Sequence, residues 1–398
     1  LKIRFLWSSA VAALAVAAGL AGCGGTTYFA GRNLPPSGLT NRVMIAIQNP
    51  SALSKGALQF VDAYYDIRSG TGGKPAGYSI SGYSGALPVT IQNMPEEQLG
   101  AVYGSGDGSM TSVSYAKEAT SGSTTGLNGA SSSIFITRNQ LYVFAASQTS
   151  HVLTVIDHVS GGSYPLSLPG VYRVSVNPGG SMAMAFVENS NYAYYPVKLS
   201  SAQTTTYSGG PATWPLGAQD CEPQNAPVWC LIQALDPSST ATNIKPLTFD
   251  RPVKAVFSTD GGTAYVLNCG PECGGTTASV SVLPVAPMIY LVGQASGTLP
   301  TSAALASATI AIPGGASNAL VDSSTMYVVG QQPQVVNGET LFTGNLTSVN
   351  LITNTASSPV SISDGFPGGP SRMIEADNST LWVAMTKCNN GVRAATGL

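Results

Sequence analysis

Charge is the scarcest property of this sequence. Asp, Glu, Lys and Arg make up 9% of the 398 residues, against about a quarter in an ordinary soluble domain. Seventeen basic residues face 19 acidic ones, for a net charge of −2. No basic block occurs, which argues against a nucleic-acid partner. Histidine is nearly missing. His151 and His158 flank the segment VLTVID; on an extended chain at that spacing they point to opposite faces. Also missing are a G-x-S-x-G elbow, a P-loop, an H-E-x-x-H pair and an EF-hand loop. No catalytic residue, metal or cofactor is therefore expected. The apolar stretch Phe5–Leu20 is too short and punctuated for a comfortable transmembrane span. What remains is a chain of 43% hydrophobic residues with 45 Gly and 26 Pro interleaved among short apolar runs. That pattern means turns between strands rather than disorder.

Residues 251–285, RPVKAVFSTDGGTAYVLNCGPECGGTTASVSVLPV, show the pattern most clearly. Val253, Ala255 and Phe257 alternate with Lys254, Val256 and Ser258, and Val280 and Val282 alternate with serines. Period two predicts strands. Asp260-Gly261-Gly262 supplies the positive φ of a tight hairpin turn. ATIAIPGG at 308–315 offers a fourth strand. A repeated unit of four antiparallel strands is the mark of a β-propeller blade.

Looser copies recur at 42–48, 57–67, 99–118, 133–168, 172–199, 318–354 and 372–388. Aligned on the second strand, the clearer copies start near Tyr142, Ala183, Tyr265, Tyr327 and Trp382, spaced by 41, 82, 62 and 55 residues. The first spacing fits a blade of roughly 40–45 residues. The longest contains a Pro-rich stretch at about 211–250 without a turn-plus-strand signature, which is read as an insertion. Thr137, Pro178, Asp260, Asp322 and Asp377 each precede an anchor by five residues, as a repeated turn position would. STDGGTAYVLN at 258–268 and VLTVID at 152–157 resemble the repeats of bacterial YVTN-type β-propellers. The resemblance covers roughly residues 41–388 and implies a fold while saying almost nothing about activity. The expected fold is all-β: a seven-bladed β-propeller of four-stranded antiparallel blades with an incomplete last blade.

Ahead of this domain stand Lys2 and Arg4, the apolar Phe5–Leu20 run, and Leu20-Ala21-Gly22-Cys23. This resembles the lipobox of bacterial lipoprotein signal peptides. It implies cleavage after residue 22, a lipid on Cys23, a flexible tether over 23–40 and a propeller domain over 41–398. Lipid chains would hold the protein to a membrane, each buried methylene adding about 0.8 kcal/mol. Gly24 rather than Asp after the cysteine implies sorting to the outer membrane, so the expected location is the cell envelope, lipid-anchored. In an exported protein, disulfides are the default state of the other cysteines. The simplest pairing is local, Cys221 with Cys230 and Cys269 with Cys273; crossed pairing satisfies the same count. A zinc site has only the C-x₃-C spacing to support it.

Three basic residues open innermost strands. Arg173 and Arg372 stand ten residues before their anchors, and Lys254 stands eleven before its own. Such positions rim a propeller's central channel, where converging cations can hold an anion; equally, they can pair with rim carboxylates or cap loops. Trp214 and Trp229 belong either to an exposed binding loop or to a small core of the insertion. The expected function is a non-catalytic envelope binding or interaction module for a protein, glycan or small ligand, with an envelope scaffold as a related option. Propellers also include lactonase-like hydrolases and quinoprotein-dehydrogenase-like subunits, so an enzyme is the alternative.

The last unit stops after two strands, and Cys388 has no partner. The gene should therefore continue past Leu398 with two further strands and one more cysteine. Reading the downstream codons checks this, and an immediate stop would refute it.

Overall fold

The computed structural model describes residues between 35 and 386, apart from 63–76, 201–213, 223–227, 237–242, 293–307 and some shorter stretches. The signal peptide, Cys23, most of the tether, Asp377 and Cys388 lie outside the described residues. The fold is all-β and propeller-like. Its antiparallel sheets follow one another along the chain, each beginning with the strand nearest the centre.

Sheet one holds β1 (Arg42–Gln48), β2 (Gly56–Asp62) and β3 (Gly77–Ser79) in that order. Sheet two holds β4 (Pro88–Met94), β5 (Leu99–Gly104), β6 (Ser109–Ser114) and β7 (Ala119–Thr120), with β8 (Thr125–Gly126) also on β6. Sheet three is a four-strand meander, β9 (Ser133–Ile136), β10 (Tyr142–Ser147), β11 (Val152–Asp157) and β12 (Gly162–Ser167). Sheet four contains β13 (Val171–Val176), β14 (Ala183–Val187), β15 (Ala193–Lys198), β16 (Ala218–Glu222) and β17 (Trp229–Gln233), in the order β13-β14-β15-β17-β16. Sheet five is β18 (Pro252–Phe257), β19 (Thr263–Asn268), β20 (Ser279–Pro284) and β21 (Ala308–Ala311), with a helix, α1 (Val285–Val292), after β20. Sheet six contains β22 (Asn318–Asp322), the long hairpin β23 (Thr325–Val336) and β24 (Glu339–Asn350), β25 (Thr355–Ala356), and β26 (Val360–Ser361) on β24. A ribbon of β27 (Pro370–Glu375) and β28 (Leu381–Met385) ends the described chain.

Two expectations need correction. Six sheets reach three or more strands and form six blades, not seven; the last unit is only a two-stranded ribbon among the described residues. Such a ribbon cannot shield its own faces. β27 accordingly alternates between partly and fully exposed residues after the buried Pro370, and the ribbon contacts sheet one where Trp382 of β28 packs on Val43 and Val61. The Pro-rich stretch, in which no strand was expected, supplies β16 and β17 to sheet four as an insertion within that blade. WCLIQ in β17 is buried at four of its five positions. A strand covered on both faces shows no alternation, which is why period two missed it.

The sheets stack face to face, and the apolar core lies between them. Leu58, Phe60 and Val102 join sheets one and two. Tyr103, Ile134 and Val143 join two and three. Phe144, Leu166, Val174 and Leu231 join three and four. Phe186, Ile232, Val266 and Leu283 join four and five. Leu267, Ile310 and Met326 join five and six. The innermost strands touch in sequence, β1 with β4, β4 with β9, β9 with β13, β13 with β18, β18 with β22 and β22 with β27.

The Asp260 turn forms as the sequence implied. Gly261 has φ 72°, the Gly262 amide donates to Asp260 Oδ1 at 2.9 Å, and the Thr263 amide donates to Ser258 Oγ at 2.9 Å. Thr137 and Asn177 close the corresponding turns through the amides of Tyr142 and Met182. A polar side chain ending the first strand is thus the repeated turn element.

Two ion pairs stitch the fold. Glu118, fully buried, takes Arg42 Nη1 at 2.6 Å together with the Ser37 amide and hydroxyl. Asp157, also without solvent contact, takes Lys198 Nζ at 2.6 Å, the amides of Val159 and Ser160 and Trp229 Nε1. Burial works against the Asp157 charge, but the bonds from Lys198, Ser160 and Trp229 outweigh it and hold the carboxyl below its ordinary range. The pair lies near the periphery, where solvent tempers its strength. Its stabilisation is complete above the ordinary carboxylate pKa of 3.8 and is lost as pH falls through the depressed folded-state value. Asp157→Asn should therefore cost about 2–3 kcal/mol at neutral pH, with the deficit shrinking below that range. Urea unfolding at neutral and acid pH measures both; an equal deficit at the two would disprove the assignment.

Candidate functional site

Four innermost strands carry the same irregularity. The register shifts by one residue between Pro88 and Thr90 in β4, Val171 and Arg173 in β13, Pro252 and Lys254 in β18, and Pro370 and Arg372 in β27. Each is a β-bulge, which leaves one residue outside the ladder and re-aims the next side chain. In three of the four, the residue after the bulge is the cation singled out by sequence. Arg173, Lys254 and Arg372 are therefore structurally equivalent. Arg173 and Lys254 each stand 13 residues before their ladder partners Phe186 and Leu267 (186−173, 267−254), and Arg372 stands 12 before Ala384 (384−372).

The bulges also supply the partners. Arg173 Nη1 donates to Val253 O, in the bulge of β18, at 3.3 Å, and to Ser317 O at 3.4 Å. Arg372 donates through Nη1 to Ser371 O and through Nη2 to Val89 O in the bulge of β4, each at 3.0 Å. Lys254 Nζ donates to Asn318 Oδ1 at 2.6 Å. Asn318 Nδ2 in turn donates to Ser371 O at 3.0 Å. One network thus links β4, β13, β18, β22 and β27, and among the described residues it contains carbonyl and amide acceptors but no carboxylate. Among the described residues none of the three cations forms an ion pair, whereas Arg42 and Lys198 each have one.

Lys254 keeps partial solvent contact along its side chain, although protein packs densely around its ammonium. Burial first, and then the fields of Arg173 and Arg372, push its pKa down to about 7. Burial, and then Arg173, also lowers that of Arg372. The Arg173 guanidinium rests 5.5 Å from the Tyr172 ring centre. Cations gathered on the inner strands without a carboxylate partner among the described residues can form a site for a negatively charged group.

The other sequence-derived candidates fall elsewhere. Cys221 and Cys230 form a disulfide between paired positions of β16 and β17. Cys269 and Cys273 form a second one around a 3-10 turn, Gly270–Cys273. Within that turn Glu272 accepts the Gln331 amide at 2.9 Å, bracing the loop against β23. Both bridges are structural staples. Trp229 is 4% exposed and packs against Tyr142, Phe144 and Tyr164, so it belongs to the core between sheets three and four. His151 and His158 are exposed at opposite ends of β11. A cleft of about 300 Å³ between sheets three and four is lined by Tyr142, Phe144, Met182, Tyr195, Lys198 and Trp229, but its one cation is occupied by Asp157. Among the described residues no three His, Cys, Asp or Glu side chains gather where they could hold a metal ion. The shared bulge and its carbonyl acceptors were not evident in the sequence. A small or apolar residue followed by Arg or Lys near the start of the first strand, as in VYR, PVK and PSR, was the available signal.

No protein-family model matches the chain, and no curated protein matches it by sequence. Solved structures do match. A chain of the Kuenenia stuttgartiensis hydrazine synthase is 13% identical with a TM-score of 0.48, over 75% of this chain and 73% of that one. A putative 6-phosphogluconolactonase from Bacteroides fragilis is 11% identical with a TM-score of 0.47, over 88% of each chain. Another from Bacteroides uniformis is 11% identical with a TM-score of 0.44, over 83% and 82%. Likenesses this distant carry nothing about chemistry.

Lys254 has a pH signature of its own. Its folded-state pKa lies below its ordinary value of 10.5, so its charge opposes folding at and below neutrality. That cost fades as pH rises from about 7 towards 10.5. Lys254→Met should therefore gain stability relative to the parent as pH is lowered from 10 to 7, on the scale set by the lowered pKa. Melting curves across that range test it, and a constant difference would count against the cationic cluster.

Proposed function

We propose that this chain is an exported, lipid-anchored binding module that captures a small anionic ligand at its channel mouth. One observation carries the reading: three bulged inner strands bring Arg173, Lys254 and Arg372 into a shared network with no counter-carboxylate among the described residues. A fold gains nothing from such an arrangement in the free state, because like charges repel and burial penalises the Lys254 ammonium. A ligand carboxylate or phosphate would offset that cost and accept bidentate bonds from the guanidiniums. The network offers no carboxylate or imidazole as a general base, which favours binding over turnover.

Export and anchoring rest on the lipobox-like Leu20-Ala21-Gly22-Cys23 and on the YVTN-type repeats. In this reading residues 1–22 are the signal, Cys23 carries the lipid, 23–40 form the tether, and the protein sits in the cell envelope at the outer membrane. The two disulfides suit an oxidising compartment.

Titration calorimetry with citrate as probe and neutral glucose as control should show binding of citrate alone. Arg173→Gln and Lys254→Met should each weaken it by about tenfold or more, the value of a charge-assisted hydrogen bond. Absence of citrate binding, or undiminished binding by both variants, would overturn the anion site. In cells, Cys23→Ser should move the protein from the membrane to the soluble fraction; retention in the membrane would refute the lipid anchor.

A further inference from the structure

We propose that the ligand is a small oxo acid, held by guanidinium–carboxylate bonds and by a reversible imine between its carbonyl carbon and Lys254 Nζ. This rests on the anion-binding reading and names the chemical class. The site combines two kinds of group at equivalent positions of sheet four, sheet five and the terminal ribbon, joined through Asn318 of sheet six. Arg173 and Arg372 are planar donors suited to a carboxylate. Lys254 between them is a primary amine, which binds an anion less specifically than a guanidinium but can attack a carbonyl.

Three observations favour the amine's reactivity. First, among the described residues Lys254 has no carboxylate partner, unlike Lys198 with Asp157; a salt-bridged ammonium has no lone pair to offer. Second, its 2.6 Å bond goes to the neutral Asn318 Oδ1, whose amide is held by Ser371 O. One N–H is thereby oriented while the lone pair of the free amine stays available. Third, dense packing and two guanidiniums act together against the ammonium form, the combination that activates lysines towards carbonyls. The step balances without an oxidant or reductant. The lone pair attacks the carbonyl carbon and a proton passes to its oxygen. Water then leaves as the C=N bond forms, and hydrolysis reverses it.

The test uses the full chain with pyruvate and cyanoborohydride near neutral pH, followed by peptide mapping. The reduced adduct should appear on Lys254 at least about tenfold faster than on Lys55, Lys117 or Lys198. Citrate should suppress it. Arg372→Gln should slow trapping of pyruvate more than trapping of uncharged propanal. Lys254→Arg, which keeps the charge, should abolish the adduct at that position. Labelling spread evenly over the lysines, or none at Lys254, would overturn the imine. If citrate still binds in that case, the anion site stands and only the covalent step falls; if citrate binding is also absent, both fall.

Discussion

Every complete sheet in this protein must have both faces covered, and the only available cover is the next sheet. That constraint accounts for most of what the chain contains. Strands such as AMAFV and WCLIQ are buried along nearly their whole length, and the core is a series of apolar layers between successive sheets rather than one central mass. Charge has little place in such an arrangement, and a content of 9% follows. The charges that do enter the interior are treated in two distinct ways.

Arg42 and Lys198 are neutralised. Each meets a carboxylate with no exposed surface, and each carboxylate has its remaining lone pairs filled by backbone amides or neighbouring side chains. These pairs do structural work between elements distant in sequence. Arg173, Lys254 and Arg372 have only carbonyl and amide acceptors. The contrast within one molecule separates stitching from a site. Repulsion among the three is a cost that the free protein bears and that an anion relieves, so affinity and the proton equilibrium of Lys254 are linked through the same electrostatics.

The bulges explain how the site arises on a repeat fold. A regular inner strand faces alternate residues into the layers between sheets, where a cation would be desolvated. The extra residue shifts the register, turns the next side chain out of the layer, and frees a carbonyl to receive a neighbour's guanidinium. One device, repeated in β4, β13, β18 and β27, orients the cations and supplies their ligands. Arg372 reaching Val89 also connects the last described strands to the second sheet, and Trp382 against Val43 and Val61 connects them to the first.

Much of this was legible along the chain. Period-two alternation placed β18 and β20 because alternation is a local property of a half-covered strand, and copies of the same unit placed β1, β9–β11 and β22. Asp260-Gly261-Gly262 marked its turn because only a few residues accept the required φ. Short separations indicated the pairing of Cys221 with Cys230 and Cys269 with Cys273. Arg173, Lys254 and Arg372 stood out by position. Tertiary structure decided the rest. β17 gave no periodic signal because it is covered on both faces, and six blades with a two-stranded ribbon replaced the expected seven because the number of strands joining each sheet is settled by non-local pairing. The equivalence of the three cations depended on bulges, which exist only as a mismatch between two strands. Local sequence carries the period of a strand; it does not carry the register against its partner, and it is register that brings these three side chains to one place.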